Sequence, residues 1–214
     1  MTDKIEITLV NKTLGLVAKR NSGKSILLKY LVEHEKKSFD KIFVICPTES
    51  INRFYKEIVP DNCIFDDYSE EWTDNLISSL TKINKDTKPE ERKKVLLIFD
   101  DILSDVDFHN APSMKKIFTR GRHVGLSIIC TCQYLYQLPP ICRVNLDYLL
   151  CGQTNNQSKN LLCDEFLAGS LDRKQFINLY SKATKDYNFL VINNNSIKDN
   201  DDIDQIYGII KAKI

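Results

Sequence analysis

Leu14-Gly15-Leu16-Val17-Ala18-Lys19-Arg20-Asn21-Ser22-Gly23-Lys24-Ser25 is an apolar run that breaks into a Gly-Lys-Ser turn, and Leu27, Leu28, Leu31 and Val32 then recur at helical spacing. Strand, tight loop and helix in that order make a phosphate cradle: backbone N–H groups surround the anion and the helix points its positive end at it. Gly23 lets the backbone approach closely. Lys24 is placed for the β- and γ-phosphates, and the Ser25 hydroxyl for Mg²⁺. The nucleotide-contacting stretch is Ala18, Lys19, Arg20, Asn21, Ser22, Gly23, Lys24, Ser25 and Ile26. The usual pattern G-x-x-x-x-G-K-[ST] has glycine where this chain has Ala18, the least disruptive replacement, and the loop is read as intact. A chance Gly-Lys-Ser in a surface turn is the plainer alternative. The strand-like segment Ile5 to Val17 on one side and the helical face on the other argue against it.

Around this loop, 214 residues suffice for one α/β unit spanning 1–214, with little left for an accessory domain. A formal net charge of +1 means that binding of nucleic acid has to come from a local basic face or from several subunits acting together. Seven cysteines, an odd number, sit mostly inside apolar runs (Cys46, Cys130, Cys132, Cys151), as reduced structural cysteines do. Cys130 and Cys132 are one residue apart with no second pair at metal-ligand spacing, so zinc is not expected. Met1-Thr2-Asp3-Lys4 has no signal-peptide character, and no apolar run approaches the ~20 residues of a membrane span. A soluble intracellular protein is expected.

Strand-type runs at Ile5–Ala18, Lys41–Cys46, Val95–Asp100, Leu126–Cys132, Tyr148–Gly152 and Asn188–Ile192 alternate with helix-like stretches, which predicts a mostly parallel sheet covered on both faces. Trp72, Leu76, Leu80 and Ile83 form a helical stripe expected in the core. Asn84 to Lys94 is densely charged and predicts a solvated loop, with a basic patch at Arg92, Lys93 and Lys94 as the alternative. Asn193 to Ser196 and Asp199 to Asp202 are expected as loop or frayed structure.

Val95-Leu96-Leu97-Ile98-Phe99-Asp100-Asp101 is the second strong signal: a buried strand carrying two carboxylates at its C-terminal edge, where open α/β sheets bind ligands. Asp100 is the candidate Mg²⁺ ligand, and Asp101 the acid that orients or deprotonates an attacking water. A third run, Gly125 to Cys132, ends in Gln133, whose amide can reach a γ-phosphate or the water. Met114 to His123 is a helix-like stretch with an apolar side in a basic setting, and Pro112 suits its start. Arg120, Arg122 and Arg143 are candidates for a charge-stabilising arginine supplied to a neighbouring subunit. His123 suits a structural hydrogen bond or a DNA phosphate contact.

With these residues assembled, the chain resembles the genome-packaging ATPases of large nucleocytoplasmic DNA viruses, virophages and polinton-like elements, the poxvirus-type branch of the FtsK-HerA superfamily. The similarity is carried by the Ala18–Ser25 loop, Leu97 to Asp101, Gly121-Arg122-His123 before Leu126-Ser127-Ile128, Gln133 before Leu138-Pro139-Pro140, Arg143, and Ala183-Thr184 with Tyr187 to Val191. It implies an additional-strand P-loop NTPase fold, with the Gln-bearing strand between the loop strand and the Asp-Asp strand. It also implies a homo-oligomeric ring, hexamer or pentamer, that uses ATP and Mg²⁺ to move double-stranded DNA into a capsid. Lys24 and Ser25 then serve phosphate and metal, Asp100 and Asp101 metal and water, Gln133 is the sensor, and Arg122 is the favoured trans group. The host cytoplasm or a viral factory, with association to the virion, is the implied location, and capsid proteins are further partners. Asp101 stands where many relatives outside the viral branch carry Glu.

Two other functions remain open on the residues alone. A nucleoside-type kinase uses the same loop but needs an acceptor pocket and an arginine-rich lid. A non-hydrolysing nucleotide-binding assembly protein would not need Lys24, Ser25, Asp100 and Asp101 together.

Overall fold

The computed structural model describes residues 5–101, 108, 110–167, 171–196 and 202–211. Its strands are β1 (Thr13–Val17), β2 (Lys41–Ile45), β3 (Ile64–Phe65), β4 (Val95–Asp100), β5 (Leu126–Cys132), β6 (Tyr148–Cys151), β7 (Phe189–Asn193) and β8 (Tyr207–Ile210). They form one sheet in the order β3-β2-β4-β5-β1-β6-β7-β8. From β3 to β6 every pairing is parallel, and β7 and β8 close the edge antiparallel. As expected, β5 lies between the loop strand β1 and the Asp-Asp strand β4.

The continuous apolar runs follow from burial on both faces. Along β4, Leu96 and Ile98 pack on one side of the sheet while Leu97 and Phe99 pack on the other. The first side is covered by the helix Lys24–Glu35, through Leu27, Leu28, Leu31 and Val32. The second is covered by the helices Glu70–Asn84, Pro112–Arg120, Asn156–Phe166 and Arg173–Ala183, which contribute Leu80, Met114, Ile117, Leu162 and Phe176. Each such aliphatic or aromatic side chain, wholly removed from water, contributes about 1.5–3 kcal/mol. Pro112 opens its helix at the first position, where a missing N–H costs nothing.

Several expectations are corrected. The first strand begins at Thr13, not Ile5, because the chain turns at Asn11: that residue has φ 57°, Lys12 N–H donates to the Leu9 carbonyl, and Asn11 N–H to Ser127 Oγ. Ile5 and Ile7 pack against the core without pairing. In the Trp72 stripe, Leu80 is buried and Trp72 meets Phe43 edge-on at 5.1 Å, but Ile83 is 56% exposed because the helix turns its last apolar position outward. Asn84 is buried, not solvated: its amide donates to the carbonyls of Lys93 and Val124 and accepts from Lys93 N–H. Lys93 pairs with Asp40, and Arg92 donates to the carbonyls of Thr87 and His123, so two members of the basic run hold the fold. The strands β3 and β8 have no counterpart in the sequence reading. Asp202 caps a helical turn, Ile203–Ile206, while residues 197–201 and 1–4 lie outside the described residues.

Candidate active site

All parallel strands point their C-terminal ends to one edge, and register sets what meets there. Val17 pairs with Cys132 on one side and Cys151 on the other, and Asp100 pairs with Thr131. One residue further on stand Ala18, Gln133, Gly152 and Asp101. The loop's stem is tied to both neighbouring strands: Ala18 N–H donates to the Cys132 carbonyl and Lys19 N–H to the Gln153 carbonyl. Ala18 fits where glycine is usual because Gly152 faces it; a Cβ on Gly152 would lie 2.9 Å from that of Ala18. Asn21 (φ 59°) and Gly23 (φ 82°) carry the chain through left-handed conformations into the helix that starts at Lys24. This curl turns N–H groups inward. Within it, the Ser22 hydroxyl is buried without a hydrogen-bond partner, a donor left over for an anion. Ser25 is exposed in the first helical turn.

Lys24 Nζ donates to Asp101 Oδ1 at 2.6 Å, with the lysine side chain 10% exposed and the aspartate 40%. The loop lysine and the second acid, 77 residues apart, are thus in direct contact across β5. Asp101 has φ 54°, an uncommon conformation for a residue with a Cβ, and its N–H donates to Thr131 Oγ1. The same hydroxyl donates to Asp100 Oδ1, and Cys46 Sγ lies 3.7 Å from Asp100 Oδ2. Burial, ahead of the nearby Asp100 charge, holds the Cys46 thiol up at about 11, so it stays a neutral donor to that carboxylate. Asp100 is therefore oriented from beneath. Ser25 and Asp100 together offer the hard oxygen donors that suit Mg²⁺.

Gln133 is half-buried at the end of β5, between the loop and the two acids; its backbone N–H donates to Gln137 Oε1. The arginines are placed differently. Arg120 and Arg122 are exposed beside Gly121–Val124, at the N-terminal end of β5. A seven-residue strand separates them from the loop, roughly 20 Å at ~3.3 Å per residue, beyond the reach of an arginine. Neither reaches the phosphate loop of its own chain. Arg143 is buried and fully engaged, with Nε and Nη2 on the two Glu165 oxygens at 2.6 Å and Nη1 on the Leu138 carbonyl. That fork removes it from the candidates for a group offered to a neighbour.

Sequence reasoning missed what supports these groups. Thr131, within an apolar run, joins the two acids. Tyr55 is wholly buried, its hydroxyl beside Asp100 but outside hydrogen-bonding geometry; burial first, then the Asp100 charge, pushes the phenol far above its usual range. Glu49 fixes the turn that carries it, accepting the N–H groups of Tyr55 and Lys56. On the other flank, a cleft of about 480 Å³ opens between Lys19–Ser22, Gln153, Thr184 and Asp186–Asn188.

The family model described as Poxvirus A32 protein matches residues 6–207. Protein 075L of Invertebrate iridescent virus 6 is 28% identical over 196 residues, covering 90% of this chain and 74% of the relative. Protein 015R of Frog virus 3 is 25% identical, covering 92% of this chain and 61% of that one. Among solved structures, the genome packaging NTPase B204 of Sulfolobus turreted icosahedral virus 2, bound to AMPPCP, superposes with a TM-score of 0.65 at 19% identity, over 94% of this chain and 98% of B204. The conjugation coupling protein TcpA of pCW3 gives a TM-score of 0.61 at 12% identity, over 85% of this chain and 57% of that one. The likeness in structure carries the fold, a P-loop NTPase sheet with an additional strand, and the matched sequence model carries the family: this chain belongs to the Poxvirus A32 protein family of viral packaging ATPases.

Proposed function

We propose that the protein is an ATP-hydrolysing motor that moves double-stranded DNA into a capsid as a homo-oligomeric ring, its 214 residues forming a single ATPase domain. The observation that carries the hydrolytic reading is the contact of Lys24 with Asp101, beside an Asp100 already oriented by Thr131. When the β- and γ-phosphates enter the loop, Lys24 exchanges Asp101 for them, and Asp101 is released to face water. The water oxygen forms a bond to the γ-phosphorus, its proton passes to Asp101, and the bond to the β,γ-bridging oxygen breaks to leave ADP. Gln133, between loop and acids, holds the water or the departing phosphate. Ser25 and Asp100 would hold Mg²⁺, which neutralises phosphate charge when bound.

The ring and the DNA rest on other support. Family membership and the B204 likeness favour DNA handling, and the placement of Arg122 favours a trans role. With Arg120 and Arg122 at the far edge, either of them can stabilise transition-state charge only in a neighbour's site. The host cytoplasm or a viral factory suits such a motor, and capsid proteins suit it as partners. No helix among the described residues is long and apolar enough to cross a membrane. The test is ATP turnover with and without long double-stranded DNA. Stimulation that weakens as salt rises supports the motor; turnover indifferent to DNA and to protein concentration defeats it and favours a nucleoside-type kinase.

A further inference from the structure

The direction of the phosphate chain decides where the rest of the nucleotide goes. Its γ end is drawn to Asp100 and Asp101, past β4, on one side of the loop. The α-phosphate, ribose and base therefore leave on the opposite side, over the ends of β6 and β7. The cleft of about 480 Å³ opens there, a size suited to a small organic ligand. Tyr187 lines it beside the loop, 64% exposed, its Cβ and Cδ1 3.7 and 3.6 Å from where a Cβ on Gly23 would be. The ring therefore offers a largely open face directly beside the phosphate loop. The backbone holds it there by consecutive left-handed residues, Asp186 (φ 52°) and Tyr187 (φ 62°), conformations that bulky side chains rarely adopt. Asn188 N–H donates to the Lys185 carbonyl, and Gln153 Nε2 to the Thr184 carbonyl at 3.4 Å, which ties this turn to the end of β6.

We propose that this cleft is the nucleobase site and that Tyr187 is its stacking platform, with Lys19 and Gln153 at the mouth where the ribose passes. The inference rests on the phosphate-loop reading of Ala18–Ile26 and adds the part of the nucleotide that the loop cannot recognise. A flat face accepts any base by stacking, so the platform supplies affinity more than selectivity.

Calorimetric titration of the full chain with ATP and, separately, with inorganic tripolyphosphate tests it. Tripolyphosphate has the phosphates and no base. Tyr187→Ala is expected to weaken ATP about 10- to 100-fold and to leave tripolyphosphate unchanged. Tyr187→Phe, which keeps both the ring and the backbone strain, is expected to bind ATP as the wild type does. Unchanged ATP affinity in Tyr187→Ala overturns the proposal. So does an equal loss of both ligands, because the ring would then only prop the loop at Gly23. Should the alanine variant fail to fold, Tyr187→Trp carries the test: its emission, above the Trp72 background, changes with ATP and not with tripolyphosphate, and an unchanged emission overturns the platform. The phosphate-loop reading fails separately, through Lys24→Ala binding tripolyphosphate as tightly as the wild type.

Discussion

The two edges of the parallel sheet are built on opposite principles. At the C-terminal edge, Asn21, Arg53, Asp101, Asp186 and Tyr187 all adopt positive φ, Ser22 and Tyr55 hold buried hydroxyls without partners, and Lys24 is joined to an acid that it would have to release. The N-terminal edge has fewer such features, Asn11 and Gly125 at positive φ and a buried unpartnered Asn193 Oδ1, and most of its polar groups are spent on one another. Asn84 bridges Lys93 and Val124, Asp40 accepts from Lys93 Nζ and Lys94 N–H, and Asp147 accepts from Thr13 N–H and Lys12. Strain and unmet hydrogen bonds persist only where surrounding packing over-determines them, and they gather where a ligand can relieve them. The edge built for chemistry is thus distinguishable from the edge built for stability without any ligand in view.

The exposed arginines cut across this division, which makes them its sharpest test. Arg122 stands on the stable edge, yet it should matter to rate as no other residue there does. Arg122→Ala is expected to lower turnover by on the order of 10³–10⁵ while ATP still binds, the loss typical of a missing arginine finger. Mixing it with Lys24→Ala should restore activity, because a mixed ring sets an intact Arg122 against an intact loop. If mixed oligomers form and no activity returns, the test passes to Arg120, and failure there leaves the far edge purely structural.

Asp101→Asn probes the other edge. Turnover should fall by about 10²–10⁴, the range for a lost general base, with Mg-ATP still bound. Binding should even tighten, since the neutral amide competes less for Lys24. Single-turnover kinetics with separate titration of ATP separates the two effects. Wild-type turnover would remove Asp101 from the chemistry and make its contact with Lys24 only a resting pair.

What was legible in the sequence follows the same division. Asp100, Asp101 and Gln133 each close an apolar run, where a polar residue at the end of a buried parallel strand is conspicuous, and Lys24 and Ser25 stand out through the Gly-Lys-Ser turn between such a run and a helical face. Thr131 was not legible, since a threonine inside Leu126–Cys132 reads as packing and only register with Asp100 gives it work. Tyr55 lies in a stretch of short turns with no periodicity to place it. The strand β3 has only two residues, too few for a pattern. The early strand was overextended because Ile5, Ile7 and Leu9 alternate like a strand, whereas Asn11 and Lys12 turn the chain before pairing begins. Arg143 resembled a candidate finger for want of its partner; Glu165 is 22 residues away on another helix, and nothing local announces the fork.

That fork gives a prediction for stability in place of rate. Breaking a buried ion pair from one side costs about 3–5 kcal/mol, but Glu165 is 30% exposed and recovers part of its hydration. Arg143→Ala should therefore cost about 1–3 kcal/mol. Chemical denaturation measures it, and turnover per folded molecule should be unchanged. A catalytic defect in fully folded Arg143→Ala would return this residue to the active edge.

The smallest effect belongs to Asp40, on the stable edge, whose carboxyl is held below its usual range first by the hydrogen bond from Lys93 and then by the N–H of Lys94. A carboxyl depressed in the folded state binds its proton less readily there than in the unfolded chain. Its contribution is fully present above the unfolded value, near 3.9, and is lost as pH falls through the lower folded one. The side chain is 40% exposed, so solvent screening keeps the pair to about 0.2–1 kcal/mol. Asp40→Asn should accordingly lie below the wild type by that amount at neutral pH, and the two denaturation curves should converge as pH falls below about 4. High salt should narrow the gap at neutral pH, since the pair is at the surface. ATP affinity should not move, because the substitution sits at the opposite end of β4 from Asp100. If it does move, strand β4 transmits strain from one edge to the other, and the division between a stable and a reactive edge is one of degree.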